Sequence, residues 1–133
     1  MGYEEDVLSA NHEFYAAFDA GDIEAMEALW AEEHGVACIH PGWSALDTRA
    51  QIVESWRSIL DSPQAPDIRC ANPTVSVAGD MGFVVCTEIL SGGELVATNI
   101  FVRESTGWKI CHHHAAPVAR HIVVDSTPPD EMN

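Results

Sequence analysis

The stretch MGFVVCTEILSGGELVATNIFVRESTGWKICHHHAAP, residues 81–117, decides the fold. It holds three runs rich in β-branched and apolar residues, MGFVVCTEIL, ELVATNIFVRE and WKICHHHAA. Gly92-Gly93 and Thr106-Gly107 separate them. Connections this short with glycine at the turn favour antiparallel hairpins. Upstream, IRCANPTVSVAG reads as one more strand, interrupted at Pro73 and closed by Gly79-Asp80. The second half of the chain is therefore expected to be an antiparallel meander.

Residues nearer the N-terminus have a different period. In VLSANHEFYAAFDAGD, Leu8, Asn11, Phe14, Tyr15 and Phe18 recur at helical spacing. Gly21 is a natural helix stop and Asp22 a natural N-cap for the segment IEAMEALWAEE. In that segment Ile23, Met26, Leu29 and Trp30 share one side. VACIHPGW follows as a short strand ended by His40-Pro41-Gly42. A third helix, RAQIVESWRSIL, is capped by Asp47 or Thr48, turns Ile52, Trp56, Ile59 and Leu60 inward, and is broken by the prolines of SPQAP. Helices followed by a strand meander indicate an α+β class, with a curved antiparallel sheet wrapped around the helices. One domain is expected over residues 1–133, with its core at about 5–117 and a C-terminal tail at 118–133.

Composition limits the function. The chain has 6 Lys and Arg against 21 Asp and Glu, a formal charge of −15, which repels nucleic-acid backbones and anionic lipid. No apolar run is long enough to span a membrane, and the acidic start MGYEEDVLSA is unlike a signal peptide, so a cytoplasmic location is expected. Cys38, Cys70, Cys86 and Cys111 form no C-x-x-C pair and are expected as reduced, inert core thiols.

Three motifs carry a resemblance: FYAAFDAGDIEAMEALW (14–30), CIHPGW (38–43) and TNIFVRESTGWKICHHHAAP (98–117). Together they resemble the SnoaL-like branch of the nuclear transport factor 2-like superfamily, over nearly the whole chain up to Pro117. The resemblance implies a cone-shaped fold, a pocket between sheet and helices, and commonly a homodimer through the outer sheet face. It does not imply one reaction, because the superfamily holds isomerases, cyclases, a dehydratase and a non-catalytic kinase association domain.

The histidines are the candidate chemistry. Strand side chains alternate between faces. Trp108, Ile110, His112 and His114 then share one face, and the apolar members assign that face to the interior. His113 is accordingly expected outside. Asn99 is the polar exception among Ala97 and Phe101 on the preceding strand, and an unpaired buried amide is costly, so it is expected to pair with a histidine. Glu88 joins them if its face of the strand looks inward.

Three readings follow for these groups. In the structural one, the histidines satisfy their nitrogens within the sheet. In the acid–base one, His112 or His114 moves a proton and Asn99 orients it, on an apolar carbonyl compound and without a cofactor. His40, Trp43, Tyr15, Phe14, Phe18, Trp30, Trp56 and Glu88 would then contact the substrate. In the third, His40, His112 and His114 bind a metal; it is the least favoured, and no metal ligand is assigned. The competing functional class is a non-catalytic dimerisation or ligand-sensing module.

Overall fold

The computed structural model describes residues 2–65 and 67–121. Helix α1 (Glu4–Ala20) opens with Glu4, Glu5 and Asp6, whose charges suit the positive end of the helix dipole. It closes in a Schellman turn. Gly21, at φ 67°, donates to the Phe18 carbonyl while Asp22 donates to that of Ala17. Asp22 also accepts from Ala25 N–H at 3.1 Å and so caps α2 (Ile23–Leu29). Helix α2 is shorter than its sequence pattern suggests. Trp30 leaves the helix to bridge Ile110, and Ala31 N–H donates to the Ile110 carbonyl at 2.9 Å. Strand β1 (Ala37–Ile39) follows, then α3 (Arg49–Asp61), capped by Thr48 rather than Asp47.

Strands β2 (Arg69–Ala78), β3 (Met81–Leu90), β4 (Gly93–Glu104) and β5 (Gly107–Pro117) form the expected antiparallel meander. The sheet order is β1-β5-β4-β3-β2, with β1 parallel to β5. The fold is α+β, as the sequence pattern indicates. Pro73 sits where the β2–β3 register slips, between Ala71 and Thr74. One sheet face carries Val84, Cys86, Ala97, Phe101, Ile110 and Ala115, all buried against Val7, Phe14, Ile52 and Trp56 of the helices. Helix α1 approaches closely at Gly82, where a Cβ would lie 3.2 Å from a Val7 methyl.

At the same end of the strands, Glu104 ties the loop after α2 to the β4–β5 hairpin. Its carboxylate accepts from the N–H groups of Glu32 and Glu33 and pairs with His34 Nδ1 at 2.9 Å. Those hydrogen bonds outweigh its burial and hold it below the usual carboxylate range.

One expectation is overturned. The β4–β5 pairing passes from Phe101–Ile110 to Ile100–His112, leaving Cys111 as an extra residue. This β-bulge shifts the alternation by one position. Ile110 still faces inward, but beyond the bulge His113 and Ala115 take the inner face. His112 is half-buried and His114 exposed, on the outer face, with ring centroids 6.4 Å apart.

Candidate functional site

Helix α1 presents Asn11 and Tyr15 one turn apart, both buried among apolar neighbours. Opposite them, β3 supplies Glu88, β4 supplies Asn99 and β5 supplies His113. Asn99 and His113 are register partners across β4 and β5, and Asn99 Oδ1 lies 2.6 Å from His113 Nδ1. Asn99 Nδ2 donates to Asn11 Oδ1 at 2.9 Å and to the Tyr15 hydroxyl at 3.1 Å. The amide is thereby oriented by both of its ends. Its oxygen meets His113, so Nδ1 carries the ring proton and Nε2 carries the lone pair.

Tyr15 in turn donates to Glu88 Oε2 at 2.6 Å and accepts from Cys86 Sγ at 3.3 Å. Glu88 Oε2 lies 3.9 Å from His113 Nε2, beyond a direct hydrogen bond. Glu88, His113 and Asn99 are each at most 2% exposed, so this network is dry on its protein side. Burial pushes the Glu88 pKa up, against the opposing effect of the Tyr15 hydrogen bond. It pushes His113 down to about 3, helped by the other nearby imidazoles. Tyr15 is raised by burial and by the Glu88 charge. Burial thus disfavours the charged form of both the imidazole and the carboxyl.

His40, at the end of β1, approaches the same space from the other side. Ser55 Oγ donates to the Ile52 carbonyl at 2.7 Å and lies 2.9 Å from His40 Nε2, so His40 is the donor in that pair. Burial lowers its pKa to about 4. The His40 and His113 centroids are 6.4 Å apart, and Trp56 packs against both rings. The Trp56 Nε1 and Trp30 Nε1 donors are buried, with no partner among the described residues.

A cavity of about 270 Å³ opens between these groups. Its polar lining is His40, Glu88 and His113; its apolar lining is Phe18, Pro41, Trp43, Ile59, Ile68, Leu90 and Leu95. Of the residues expected from sequence, Phe18, His40, Trp43 and Glu88 reach the cavity wall. Phe14, Tyr15, Trp56 and Asn99 stand behind that wall, in contact with His113 or Glu88. Trp30 lies in the core beside Ile110. His112 and His114 are on the far side of the sheet from His40, so those three imidazoles do not converge. Among the described residues no cluster of three or more His, Cys, Asp or Glu is placed to hold a metal ion. The thiols are unpaired, and burial raises Cys38 to about 12 and Cys111 to about 11, which leaves both protonated and weakly nucleophilic.

Sequence reasoning missed His113, whose placement depends on a bulge. It also missed Ser55 and the role of Asn11. The available signal for Asn11 was its position one turn before Tyr15 on an otherwise apolar face.

The profile of the SnoaL-like domain matches residues 7–120. The chain belongs to the SnoaL-like domain family. A candidate dehydratase of the nuclear transport factor 2-like family from Streptomyces avermitilis is 36% identical, with 88% of this chain and 96% of that one covered and a TM-score of 0.80. A candidate calcium/calmodulin-dependent protein kinase type II association domain from Thiobacillus denitrificans is 30% identical, with 84% and 94% covered and a TM-score of 0.71. The F-box protein SKIP8 of Arabidopsis thaliana is 26% identical over 112 residues, which are 83% of this chain. The chain spans about half the length of that curated relative. Chains similar to this one thus include a candidate dehydratase and a candidate kinase association domain. No helix among the described residues is long and apolar enough to cross a membrane.

Proposed function

We propose that this SnoaL-like domain binds a small, largely apolar molecule in the 270 Å³ cavity and moves a proton on it. The observation that carries this reading is the His113–Glu88 pair at the cavity wall, with the imidazole oriented by Asn99. Charging either buried group alone is unfavourable, whereas His113 protonated beside Glu88 ionised is a compensated pair. In this reading Glu88 serves as the proton donor and His113 as the acceptor. A proton leaves Glu88 for a substrate oxygen while another passes from substrate carbon to His113 Nε2. Transfer from His113 back to Glu88, relayed by the product hydroxyl or the released water in the 3.9 Å gap, restores both groups. Such a cycle fits an isomerisation or a loss of water and needs no added cofactor. The candidate dehydratase among the relatives supports this reading.

His113 therefore replaces His112 and His114 as the proposed acid–base residue, with Asn99 and Tyr15 as positioning residues. The test is deuterium incorporation from D2O into a panel of small cyclic alcohols and ketones, followed by NMR. The wild-type chain is expected to catalyse exchange on a subset of the panel and His113→Ala to lose it while keeping its far-UV spectrum. Equal exchange by both proteins, or none by the wild type, rejects the reading.

A second reading is self-association, without catalysis, through the outer face of the sheet. Met81, Phe83 and Val96 are exposed there, and an open groove of about 460 Å³ is lined by Ser76, Ala78, Met81, Gly82, Phe83, Thr98 and Ile100. None of these is charged, in a chain of formal charge −15. The kinase association domain among the relatives supports this homodimer reading. A dimer and an enzyme are compatible, because the two faces of the sheet are separate.

A further inference from the structure

The donor and acceptor pattern of the cavity wall constrains what can occupy it. Asn99 presents its oxygen to His113 because its Nδ2 is committed to Asn11 and Tyr15. The ring proton is then on Nδ1, and Nε2 is left as a bare acceptor. That assignment holds whether Glu88 carries its proton or not. His40 spends its Nε2 proton on Ser55 and contributes no further donor as a neutral ring. Among the described residues no Lys or Arg lines the cavity. An occupant must therefore offer a hydrogen-bond donor to His113 Nε2. Otherwise it buries that lone pair unpaired, which costs about 1–3 kcal/mol.

We infer that the ligand of this cavity is a compact neutral alcohol or phenol whose hydroxyl sits between His113 and Glu88. The inference rests on the reading that the cavity holds a small molecule. A hydroxyl fits both neighbours at once. In the bound ground state its O–H donates a hydrogen bond to His113 Nε2, and its oxygen accepts one from Glu88 when that carboxyl is neutral. A ketone answers Glu88 alone and leaves His113 unpaired, so the class departs from the carbonyl compound expected from sequence. A carboxylate meets three groups that cannot neutralise it, in a chain already strongly acidic. A protonated amine can donate, but it must be stripped of water among Phe18, Ile59, Ile68, Leu90 and Leu95 and must ionise Glu88 to be balanced. On the scale of about 30 Å³ of liquid volume per water, the cavity holds roughly nine non-hydrogen atoms, the size of one substituted ring.

The experiment compares one ring with four head groups: cyclohexanol, cyclohexanone, cyclohexylamine and cyclohexanecarboxylate. Binding is read from amide shifts of the 15N-labelled full chain, and the His113 tautomer from long-range 15N–1H correlations of the ring. The expected result is an unprotonated Nε2 in the free protein. Cyclohexanol should bind about tenfold more tightly than cyclohexanone, the amine and carboxylate should be weaker still, and all binding should be lost in Leu95→Trp, which fills the cavity. A proton on Nε2, or a ketone or charged analogue that binds as well as the alcohol, overturns the inference. If that competitor's binding is also lost in Leu95→Trp, the cavity reading survives and only the head group was wrong. Binding by none of the four removes both.

Discussion

Asn99 and His113 face each other directly across the β4–β5 ladder, and a 2.6 Å hydrogen bond fixes both the ring's orientation and its tautomer. Replacing Asn99 with Asp puts a carboxylate at the same atom. A negative charge this close favours the imidazolium, so the His113 pKa should rise by about one unit or more. Asn99→Asp also strands acceptors on Asn11 and Tyr15 and should lower stability by about 1–3 kcal/mol. NMR titration of the His113 ring checks the first effect and urea unfolding the second. An unmoved His113 pKa would mean that the pairing does not control its charge.

Acid should destabilise the fold through His113 and His40, whose folded pKa values lie at about 3 and about 4. Both are depressed below the unfolded value of about 6.5. As pH falls from that value toward the folded ones, the unfolded chain takes up protons that the folded chain refuses, so stability falls. The slope is at most about 1.4 kcal/mol per pH unit for each ring. Glu88 has the opposite sign. Its raised pKa lets the folded chain keep a proton that the unfolded chain loses, so its contribution declines as pH rises. Glu88→Gln removes that offset and should make the acid loss steeper between about pH 6.5 and 4.5. Urea midpoints at several pH values measure the two slopes, and a shallower slope in the variant would refute the assignment.

Trp56 packs against Phe14, Phe18, His40 and His113, but its indole N–H has no acceptor among the described residues. Trp56→Phe removes the orphan donor while keeping an aromatic ring, and the two effects should nearly cancel, to within about 1 kcal/mol. Trp56→Ala keeps neither and should lose about 3–5 kcal/mol. Thermal unfolding distinguishes them. Equal losses would show that the N–H has a partner after all.

The outer histidines should be dispensable for the inner network. His112→Ala with His114→Ala leaves the Asn99–His113 bond in place and should change stability by less than about 1 kcal/mol. Exchange catalysis should survive in the double variant. Phe83→Glu, by contrast, places a charge in the uncharged outer face and should shift sedimentation from dimer to monomer at unchanged secondary structure. A monomeric wild type would remove the self-association reading.

Much of this architecture was legible because local signals agreed with the global fold. The Gly21-Asp22 turn, the hairpin glycines and the helical spacing of α1 all stand where the residues indicated. Asn99 was legible as a residue in need of a partner because a buried amide must be paired. That a histidine is the partner was legible too, but not that it is His113. Alternation predicts facing only along an unbroken ladder, and Cys111 breaks it. Likewise, the helical period grouped Trp30 with α2, whereas its pairing to Ile110 draws it out of the helix. Both misses arise where a long-range strand contact overrides a local period.

The bulge at Cys111 gives the run of three histidines a further meaning. With the extra residue in place, His113 faces the cavity. If the strand were straightened by one position without losing a residue, His112 and His114 would take the inner face instead. Deleting Cys111 would restore an unbroken ladder and leave His113 where it is. Each of these three arrangements delivers an imidazole to the interior. The triplet thus keeps an imidazole on the inner face through a one-residue shift of this strand, in the way that a repeated letter protects a word from a shifted reading.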